Sequence, residues 1–376
     1  MRDGQPLAAI LFRCLEVEST YCVPELEIPV TTSNTPIHFP PEWAEQSAVL
    51  LAWPNGDSDF SPWLADVEAS YQAIATAIAK RERLVIACGD ETQRQRVASR
   101  LPVKPDAISW AIVPYNDVWV RDTAPLTVET GERAKLLDFR FNGWGNKYEH
   151  GDDARLARSL YETGIFGRKA LETVDFVLEG GSVETDGAGT LLTTARCLLN
   201  PNRNPGLSQA QIEAQLQHSF GLDRVLWLHH GYADGDDTDA HIDTLARFCS
   251  PDTIAYTASD NPQDSLHKEL KAMEDELKAL KTAAGDAYKL VPLPVPAPIF
   301  SENGERLPAT YANFLIINGA VLVPLYDDEA DVNAFCRLSE CFPDRDIIGI
   351  PATPLIRQYG SIHCMTMQFP ISVPVG

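Results

Sequence analysis

The chain has 376 residues, 44% of them hydrophobic, and a formal net charge of -22 from 53 acidic and 31 basic side chains. This length is sufficient for one large domain or two, with a substantial buried core. The negative charge repels nucleic acids and anionic membranes and attracts small cations, so we expect neither nucleic acid nor membrane as a partner.

The N-terminal part of the chain has no clear hydrophobic periodicity. Residues 1–35 are therefore predicted to be an extension, and residues 36–376 a single catalytic domain. The apolar run at residues 8–12 is too short for a secretory signal. Eight cysteines without Cys-x-x-Cys pairs predict neither a zinc cluster nor a disulfide framework. With no apolar run long enough to cross a membrane, the sequence indicates a reduced, cytoplasmic protein.

The first elements of the predicted domain alternate between apolar segments and helical patterns. They predict a strand, a helix that Ser61 caps with Pro62 in its first turn, a strand, a helix and a strand. In this order they cover residues 48–53, 61–78, 84–88, 94–101 and 110–113.

From residue 126 onward, a pattern of hairpin, helix and strand occurs four times. The hairpins cover residues 126–139, 182–194, 245–257 and 314–325, and Ser208 is predicted to cap the helix that follows the second hairpin. The terminal strands, at residues 48–53 and 365–369, complete a fifth unit if they pair with each other. Five units closed in this way predict a five-bladed α/β propeller, which has no open edge between its first and last units. An open α+β sheet is the alternative.

The most acidic segment, residues 234–243, reads Asp-Gly-Asp-Asp-Thr-Asp-Ala-His-Ile-Asp. Asp239, His241 and Asp243 alternate along it, so on an extended strand all three would lie on one face. Such a face can hold a metal ion, or a cation with several hydrogen-bond donors. A solvated acidic turn is the simpler interpretation.

Each junction between a strand and the next hairpin contains a polar side chain suited to chemistry. In a ring these junctions converge near the axis, so we expect their side chains to share one pocket. The side chains are Asp122, Glu179, His241, Asp243, Asn313 and Cys364. Each alone could have a structural role, and their common position in the units favours a functional site.

The residue types in this set indicate a mechanism. Cys364 is the candidate nucleophile, as a thiolate, because the sequence has no serine nucleophile motif. The carboxylates beside His241 indicate a cationic substrate with several donors, and a planar guanidinium suits paired carboxylates. Trp119 is expected to stack on the guanidinium or on an attached methylene chain.

Seven segments resemble the agmatine deiminase family, within the guanidino-modifying superfamily that includes arginine deiminases and peptidylarginine deiminases. They are residues 39–43 (FPPEW), 116–122 (NDVWVRD), 141–144 (FNGW), 178–181 (LEGG), 197–205 (CLLNPNRNP), 238–243 (TDAHID) and 362–364 (IHC). The resemblance implies a five-bladed α/β propeller. It also implies hydrolysis of agmatine to N-carbamoylputrescine and ammonia, a step of putrescine biosynthesis.

The resemblance further implies a role for each central residue. Asp122 and Asp243 bind the guanidinium, and Cys364 attacks its carbon to form a covalent thiouronium intermediate. His241 protonates the departing ammonia and then activates water. Glu179 orients His241 or a guanidinium nitrogen. No metal or cofactor is implied.

Two departures from the family pattern concern the substrate. Residues 358–361 read Gln-Tyr-Gly-Ser, where many members have three glycines and an asparagine, and residues 239–240 read Asp-Ala instead of Asn-Gly. Free arginine or peptidylarginine is therefore the alternative substrate.

Acidic residues near the predicted mouth favour agmatine over arginine, because they attract its distal ammonium and repel a carboxylate. These residues are Asp117, Asp234, Asp236 and Asp237. Asp117, Asn313 and Trp119 are the further predicted substrate contacts. Arg121 and Arg357 are the basic residues that could instead attract a carboxylate. Arg121 is expected to point away from Asp122 on a strand, and the sequence does not place Arg357.

Two other classes of function fit parts of the sequence. Residues 239–243 match the manganese motif Asp-Ala-His-x-Asp of ureohydrolases such as arginase and agmatinase. The other ligand segments of ureohydrolases are absent from the sequence, and Cys364 would have no role. A polyamine-binding protein without activity is the third possibility. Ammonia release would indicate a deiminase, urea release a ureohydrolase, and binding without turnover a binding protein. The sequence leaves a homo-oligomer open.

Overall fold

The computed structural model describes residues 36–376, which form a mixed α/β fold. The predicted extension at residues 1–35 lies outside this range. The strands are β1 Ile37–His38, β2 Gln46–Ala52, β3 Arg83–Cys88, β4 Ile108–Ile112, β5 Leu126–Thr130, β6 Arg133–Arg140, β7 Ala170–Val177, β8 Glu184–Thr185, β9 Thr190–Thr194, β10 Arg224–Leu228, β11 Ala246–Ser250, β12 Thr253–Ala258, β13 Lys289–Pro294, β14 Leu315–Ile317, β15 Ala320–Leu325, β16 Asp346–Pro351 and β17 Thr366–Pro370.

Helices connect the strands. The α-helices are α1 Leu64–Ala79, α2 Glu91–Arg100, α3 Val120–Thr123, α4 Gly143–Asn146, α5 Leu156–Glu162, α6 Ala195–Leu198, α7 Gln209–Phe220, α8 His267–Ala279 and α9 Ala330–Cys341. Short 3₁₀ helices cover Ser61–Trp63, Pro105–Ala107, Asp153–Arg155, Gly180–Ser182, Ile242–Thr244 and Leu355–Gln358. Within residues 36–376, no helix combines the length and the apolar character needed to span a bilayer.

The described strands form five sheets with one repeated topology. Their orders are β1-β5-β6-β7, β8-β9-β10, β11-β12-β13, β14-β15-β16 and β17-β2-β3-β4. In each sheet an antiparallel pair is followed by a parallel strand, as for β5, β6 and β7. The hairpin–helix–strand units predicted from the sequence are therefore present.

The last strand of the chain pairs with the first long strand. β17 runs antiparallel to β2, with Thr366 opposite Leu51 and Met367 opposite Leu50. Every residue of β2 except Ser47 is buried, as expected for a strand covered on both faces. The two ends of residues 36–376 thus belong to one sheet, as the pattern predicted.

The two helix starts predicted from capping residues had different outcomes. Ser208 caps α7 as predicted and forms a capping box with Gln211. The prediction for Ser61 is wrong, because Ser61 is itself the first residue of a 3₁₀ helix and the N-cap position is Phe60, which has no capping side chain. The proline that follows fixes helical φ and allows the turn to begin without a cap.

Candidate active site

The side chains proposed from the sequence lie on segments that join one sheet to the next. Asp122 is in α3, Glu179 precedes β8, His241 and Asp243 precede β11, Asn313 precedes β14, and Cys364 precedes β17. These segments are distant in the chain, and the distances below show that their side chains converge.

The thiol of Cys364 lies at the centre of this group, and only 7% of the residue is exposed. Asn313 Nδ2 lies 3.1 Å from its Sγ, and Asp243 Oδ2 lies 3.6 Å from it. Burial, and then the charges of Asp243 and Asp122, raise the pKa of the thiol well above its usual value. The thiol is therefore protonated at neutral pH when no cation is bound.

His241 lies between two carboxylates and is 1% exposed. Its Nδ1 is 3.8 Å from Asp122 Oδ1, and its Nε2 is 3.9 Å from Glu179 Oε2. Burial alone would lower its pKa, but Asp122, Cys197 and Glu179 outweigh burial and raise that pKa well above its usual value. His241 is thus an imidazolium at neutral pH and can act as a general acid.

Gly181 allows these groups to approach one another. Its backbone N–H donates a hydrogen bond to Asp122 Oδ1 at 2.8 Å. A Cβ at this position would lie 2.7 Å from His241 Nδ1 and 3.0 Å from both Asp122 Oδ1 and Asp243 Oδ2. The close packing of the site therefore requires glycine here.

Asp122 is held by an indole as well as by this backbone bond. Trp144 Nε1 donates to Asp122 Oδ2 at 2.9 Å, and Trp144 adopts a left-handed φ of 54°. Burial raises the pKa of Asp122, and the neighbouring Asp243 and Glu179 raise it further, while His241 acts in the opposite direction.

Asp243 begins a buried chain of hydrogen-bonded titratable groups. His363 Nδ1 lies 2.8 Å from Asp243 Oδ2, and His363 Nε2 lies 2.7 Å from Glu42 Oε2. Glu42 in turn accepts from Arg247 Nη2 at 2.6 Å. Burial would raise the pKa of Asp243, but the bond to His363 prevails and lowers it, so Asp243 is ionised. Sequence reasoning assigned no role to Glu42 or His363, although both lie in the motif segments.

A second ion-pair network holds Glu179. Arg203 Nε donates to Glu179 Oε1 at 2.6 Å, and Arg203 Nη1 donates to Asp239 Oδ2 at 2.7 Å. Lys147 Nζ lies 3.0 Å from Asp239 Oδ1. The predicted common face of Asp239, His241 and Asp243 is therefore wrong. Asp239 and the next residue have left-handed φ of 68° and 67°, which turns the chain so that Asp239 points towards Arg203.

A pocket of about 500 Å³ leads from solvent to Cys364 and Asp122. The other acidic residues of its wall are Asp59, Asp117 and Asp237, and the aromatic ones are Trp119, Trp144, Tyr148 and Tyr359. His241, Glu179, Asp243 and Asn313 lie behind this wall. Asn313 contacts Cys364 there rather than lining the pocket.

The wall has features that depend on close packing. Gly360 lies against Trp119, where a Cβ would be 2.3 Å from the indole Cζ3. Burial raises the pKa of Asp117 to about 6, although the backbone N–H of Val118 donates to its carboxylate. The sequence predicted Trp119, Asp117 and Asp237 at this site, and the structure places all three there.

Two predicted mouth residues lie elsewhere. Asp234 accepts a hydrogen bond from the hydroxyl of Ser265, and Asp236 accepts one from the backbone N–H of Ala240 at 2.6 Å. Their carboxylates stabilise the loop and do not line the pocket. Asp59 and Tyr148 were missed because their segments show no motif.

The two arginines considered as possible partners for a substrate carboxylate, Arg121 and Arg357, both lie outside this pocket. Arg121 points away from Asp122 as predicted, but it does so from the helical turn α3 and not from a strand. Its Nε donates to the carbonyl of His363 at 3.3 Å. The guanidinium of Arg357 lies over the ring of Trp63, 4.8 Å from its centroid.

Three buried donor atoms are close enough to be considered as a metal site. One atom each from Glu179, Cys197 and His241 lie within 4.8 Å of one another. Burial raises the pKa of Cys197, which disfavours the thiolate that a metal needs. The sequence-based expectation of no metal stays a prediction.

The chain is similar to known proteins over most of its length. Residues 38–370 match the family model of Porphyromonas-type peptidyl-arginine deiminase. The agmatine deiminase of Stutzerimonas stutzeri is 33% identical, covering 90% of this chain and 98% of its own. The agmatine deiminase of Pseudomonas putida KT2440 is 34% identical, covering 91% and 99%.

Two solved structures are similar over nearly the whole described region. A Porphyromonas gingivalis protein, provisionally named an arginine deiminase, has a TM-score of 0.84 and 47% identity, covering 89% of this chain and 99% of its own. The agmatine deiminase of C. jejuni with substrate bound has a TM-score of 0.83 and 36% identity, covering 89% and 96%. The resemblance inferred from the motifs is thus confirmed, and the chain belongs to the Porphyromonas-type peptidyl-arginine deiminase family, with agmatine deiminases among its relatives.

Proposed function

We propose that this protein is an agmatine deiminase, a hydrolase that converts agmatine to N-carbamoylputrescine and ammonia in putrescine biosynthesis. One observation supports this most directly. The pocket that leads to Cys364 is lined by four aspartates, and no arginine or lysine of residues 36–376 lines it. A site of this charge attracts a dication such as agmatine and lacks a partner for the α-carboxylate of free arginine.

Buried atoms behind the pocket wall support a guanidinium as the reacting group. Asp243 Oδ1 and Glu179 Oε2 are buried and have no hydrogen-bond partner within residues 36–376. Unpaired carboxylate oxygens in a protein interior are costly, so they indicate donors that come from a ligand. A guanidinium offers five N–H donors in a plane and can reach several such oxygens at once.

The remainder of agmatine fits the outer part of the pocket. Its methylene chain can lie along the rings of Trp119 and Trp144, and its ammonium is placed near Asp117 and Asp237 at the mouth. The methylene chain of agmatine is apolar and suits the aromatic side chains of the pocket wall. Its two cationic ends suit the carboxylates at the two ends of the pocket.

The thiol becomes reactive when the substrate binds. A guanidinium between Asp122 and Asp243 neutralises the two charges that, with burial, raise the pKa of Cys364. The thiol then loses its proton to solvent, and the thiolate Sγ bonds to the guanidinium carbon. Cationic His241 gives its proton to the leaving nitrogen. The carbon–nitrogen bond breaks, and ammonia departs to leave a thiouronium on Cys364.

Neutral His241 then completes the reaction as a base. It takes a proton from water, whose oxygen attacks the thiouronium carbon. The carbon–sulfur bond then breaks, and the new hydroxyl gives its proton to the departing thiolate, which restores the thiol and releases the carbamoyl product. Glu179 and Asp122 lie on opposite sides of the imidazole and hold its orientation. Arg203 fixes Glu179 in turn.

We also propose that residues 36–376 are one catalytic domain in which the five sheets form a closed five-bladed α/β propeller. Pairing of β17 with β2 supports this architecture, as does the convergence of all five connecting segments on one site. Cytoplasmic location and a homo-oligomer stay predictions.

A peptidylarginine deiminase is the second candidate, and one observation favours it. A groove of about 940 Å³ adjoins the pocket and shares Gln358 and Tyr359 with it. Arg357 and Trp63 line this groove, which could receive a peptide and its carboxylate. Free arginine has no chain long enough to use it.

The manganese ureohydrolase is disfavoured by the geometry of its own motif. Both oxygens of Asp239 are engaged, one by Arg203 and one by Lys147, so this carboxylate is not available as a metal ligand. A polyamine-binding protein would not need a thiol beside a cationic histidine.

Measuring kcat/KM for ammonia release from agmatine, arginine and a peptidyl arginine tests the proposal. We expect agmatine to be the best substrate. A preference for arginine or the peptide would show that agmatine is not the substrate but would leave the proposed mechanism intact. Release of urea would contradict the mechanism as well.

A further inference from the structure

A second cavity lies behind the catalytic group and shares no lining residue with the substrate pocket. It contains about 590 Å³ of empty space, including open solvent at its mouth, and Glu42, Arg121, Glu184 and His363 are its titratable lining residues. Two segments each supply neighbouring residues to the two cavities. Arg121 lines this rear cavity, and the adjacent Asp122 lines the substrate pocket. In the same way, His363 lines the rear cavity and Cys364 lines the pocket.

Polar atoms without partners are concentrated in the wall of the rear cavity. Arg121 Nη2, Gln46 Oε1, Thr127 Oγ1 and Gln368 Oε1 have no hydrogen-bond partner in the part of the chain that the structure describes. All four residues line this cavity, and Arg121 and Gln46 are each only 3% exposed. Buried polar groups are nearly always hydrogen-bonded, so the concentration indicates a ligand.

Arg121 is the cation of this wall that lacks a counterion. Its Nε donates to the carbonyl of His363 at 3.3 Å, and its Nη1 lies 3.6 Å from Met367 Sδ. No carboxylate of residues 36–376 accepts a hydrogen bond from it. Glu42 and Glu184, the two acids of the wall, are instead bound to Arg247, at 2.6 and 2.8 Å.

The polar atoms also restrict the kind of ligand. Arg121 Nη2 requires an acceptor, which favours an oxyanion. Gln46 Nε2 donates to the carbonyls of Glu42 and Ile316, at 2.7 and 2.9 Å, which fixes the amide orientation and leaves Oε1 as an acceptor in need of a donor. The ligand therefore needs a hydroxyl as well as a negative oxygen. A single charge is preferred, since two carboxylates lie in the same wall.

We propose that the rear cavity is a binding site for a small hydroxyl-bearing oxyanion of the hydrogencarbonate type, with Arg121 as its charged ligand and Gln46 as the acceptor of its hydroxyl. The site is joined to the nucleophile through backbone bonds, because the backbone N–H of Arg121 donates to the carbonyl of Cys364 at 3.1 Å. The proposal is independent of which guanidino substrate the enzyme uses.

Thermal unfolding of the whole chain tests this binding without measuring activity. The protein is titrated with sodium hydrogencarbonate at fixed pH, and sodium chloride, whose anion has no hydroxyl to donate, keeps the ionic strength constant. We expect a saturable rise in Tm of about 2 °C at roughly ten times the dissociation constant. Sodium formate, which has no hydroxyl to donate, should bind more weakly, and equal or tighter binding of formate would contradict the role of Gln46.

Three variants locate the site. Arg121→Met should abolish the rise, while the control Arg94→Met, which removes an arginine paired with Glu91 on α2, should retain it. Gln368→Glu places a carboxylate in the same wall with little change of shape, so it should weaken anion binding even if Arg121→Met fails to fold. The proposal is overturned if the Tm of the unmodified protein shows no saturable rise. It is also overturned if Arg121→Met shows the same rise in Tm as the unmodified protein. If Arg121→Met does not fold, an unchanged rise in Gln368→Glu overturns it instead.

Discussion

Replacing Gly181 by alanine should reduce turnover without unfolding the protein. The backbone of Gly181 is outside the left-handed region, so the methyl group introduces no conformational strain. It does introduce a contact of 2.7 Å with His241 Nδ1, where ordinary contacts begin at 3.4 Å, so the imidazole must move by about 3.4 − 2.7 = 0.7 Å. Misplacement of a catalytic group by about 1 Å can reduce the rate about 10²-fold.

We therefore expect kcat for Gly181→Ala to fall by about 10- to 100-fold, with a native-like far-UV circular dichroism spectrum. The matched control is Gly151→Ala, because a Cβ at Gly151 has no atom within 4 Å and its φ is also outside the left-handed region. Steady-state ammonia release measures both variants. If Gly181→Ala retained more than half of the activity of Gly151→Ala, the packing argument for His241 would be refuted.

The remaining predictions concern the nucleophile, the metal and the mouth of the pocket. Cys364→Ala should leave less than about one part in a thousand of the activity, while equilibrium dialysis still detects agmatine binding. Chelators should not change turnover, and two manganese ions per chain with urea as product would contradict the mechanism. Burial and neighbouring carboxylates raise the pKa of Cys364, so its alkylation by iodoacetamide in the substrate-free protein should increase about tenfold per pH unit to beyond pH 8.5; a plateau below that pH would show that the thiol is already ionised. Asp237→Asn should raise KM for agmatine with little effect on kcat, and an unchanged KM would exclude Asp237 from ammonium binding.

Local sequence signals were sufficient for most elements of the fold. Strand and helix segments recur with apolar periodicity, and turn residues separate them, as Gly319 does with its φ of 68° between β14 and β15. The capping box of Ser208 likewise depends on residues three apart. Such signals fix local geometry because the interacting atoms are close neighbours along the chain.

The central catalytic set could also be predicted, since every member lies at the same position of its repeating unit or in a recognised motif. Cys364 and Asp243 were identified in this way, and the structure places their side chains 3.6 Å apart. What the sequence could not give was the direction of each side chain. Asp239 was expected beside Asp243, but two left-handed residues in succession turn it towards Arg203.

The sequence by itself determined the order of the elements, the repeating unit and the reactive residue types. Only the tertiary structure decided which charges are paired. Glu42 meets Arg247 and His363 although it is separated from them by 205 and 321 residues, and His363 and Arg247 in turn help to lower the pKa of Asp243 beside the nucleophile. Local periodicity contains no information about such pairs, because the free energy of a buried ion pair depends on desolvation and on geometry that exists only when distant segments have packed together.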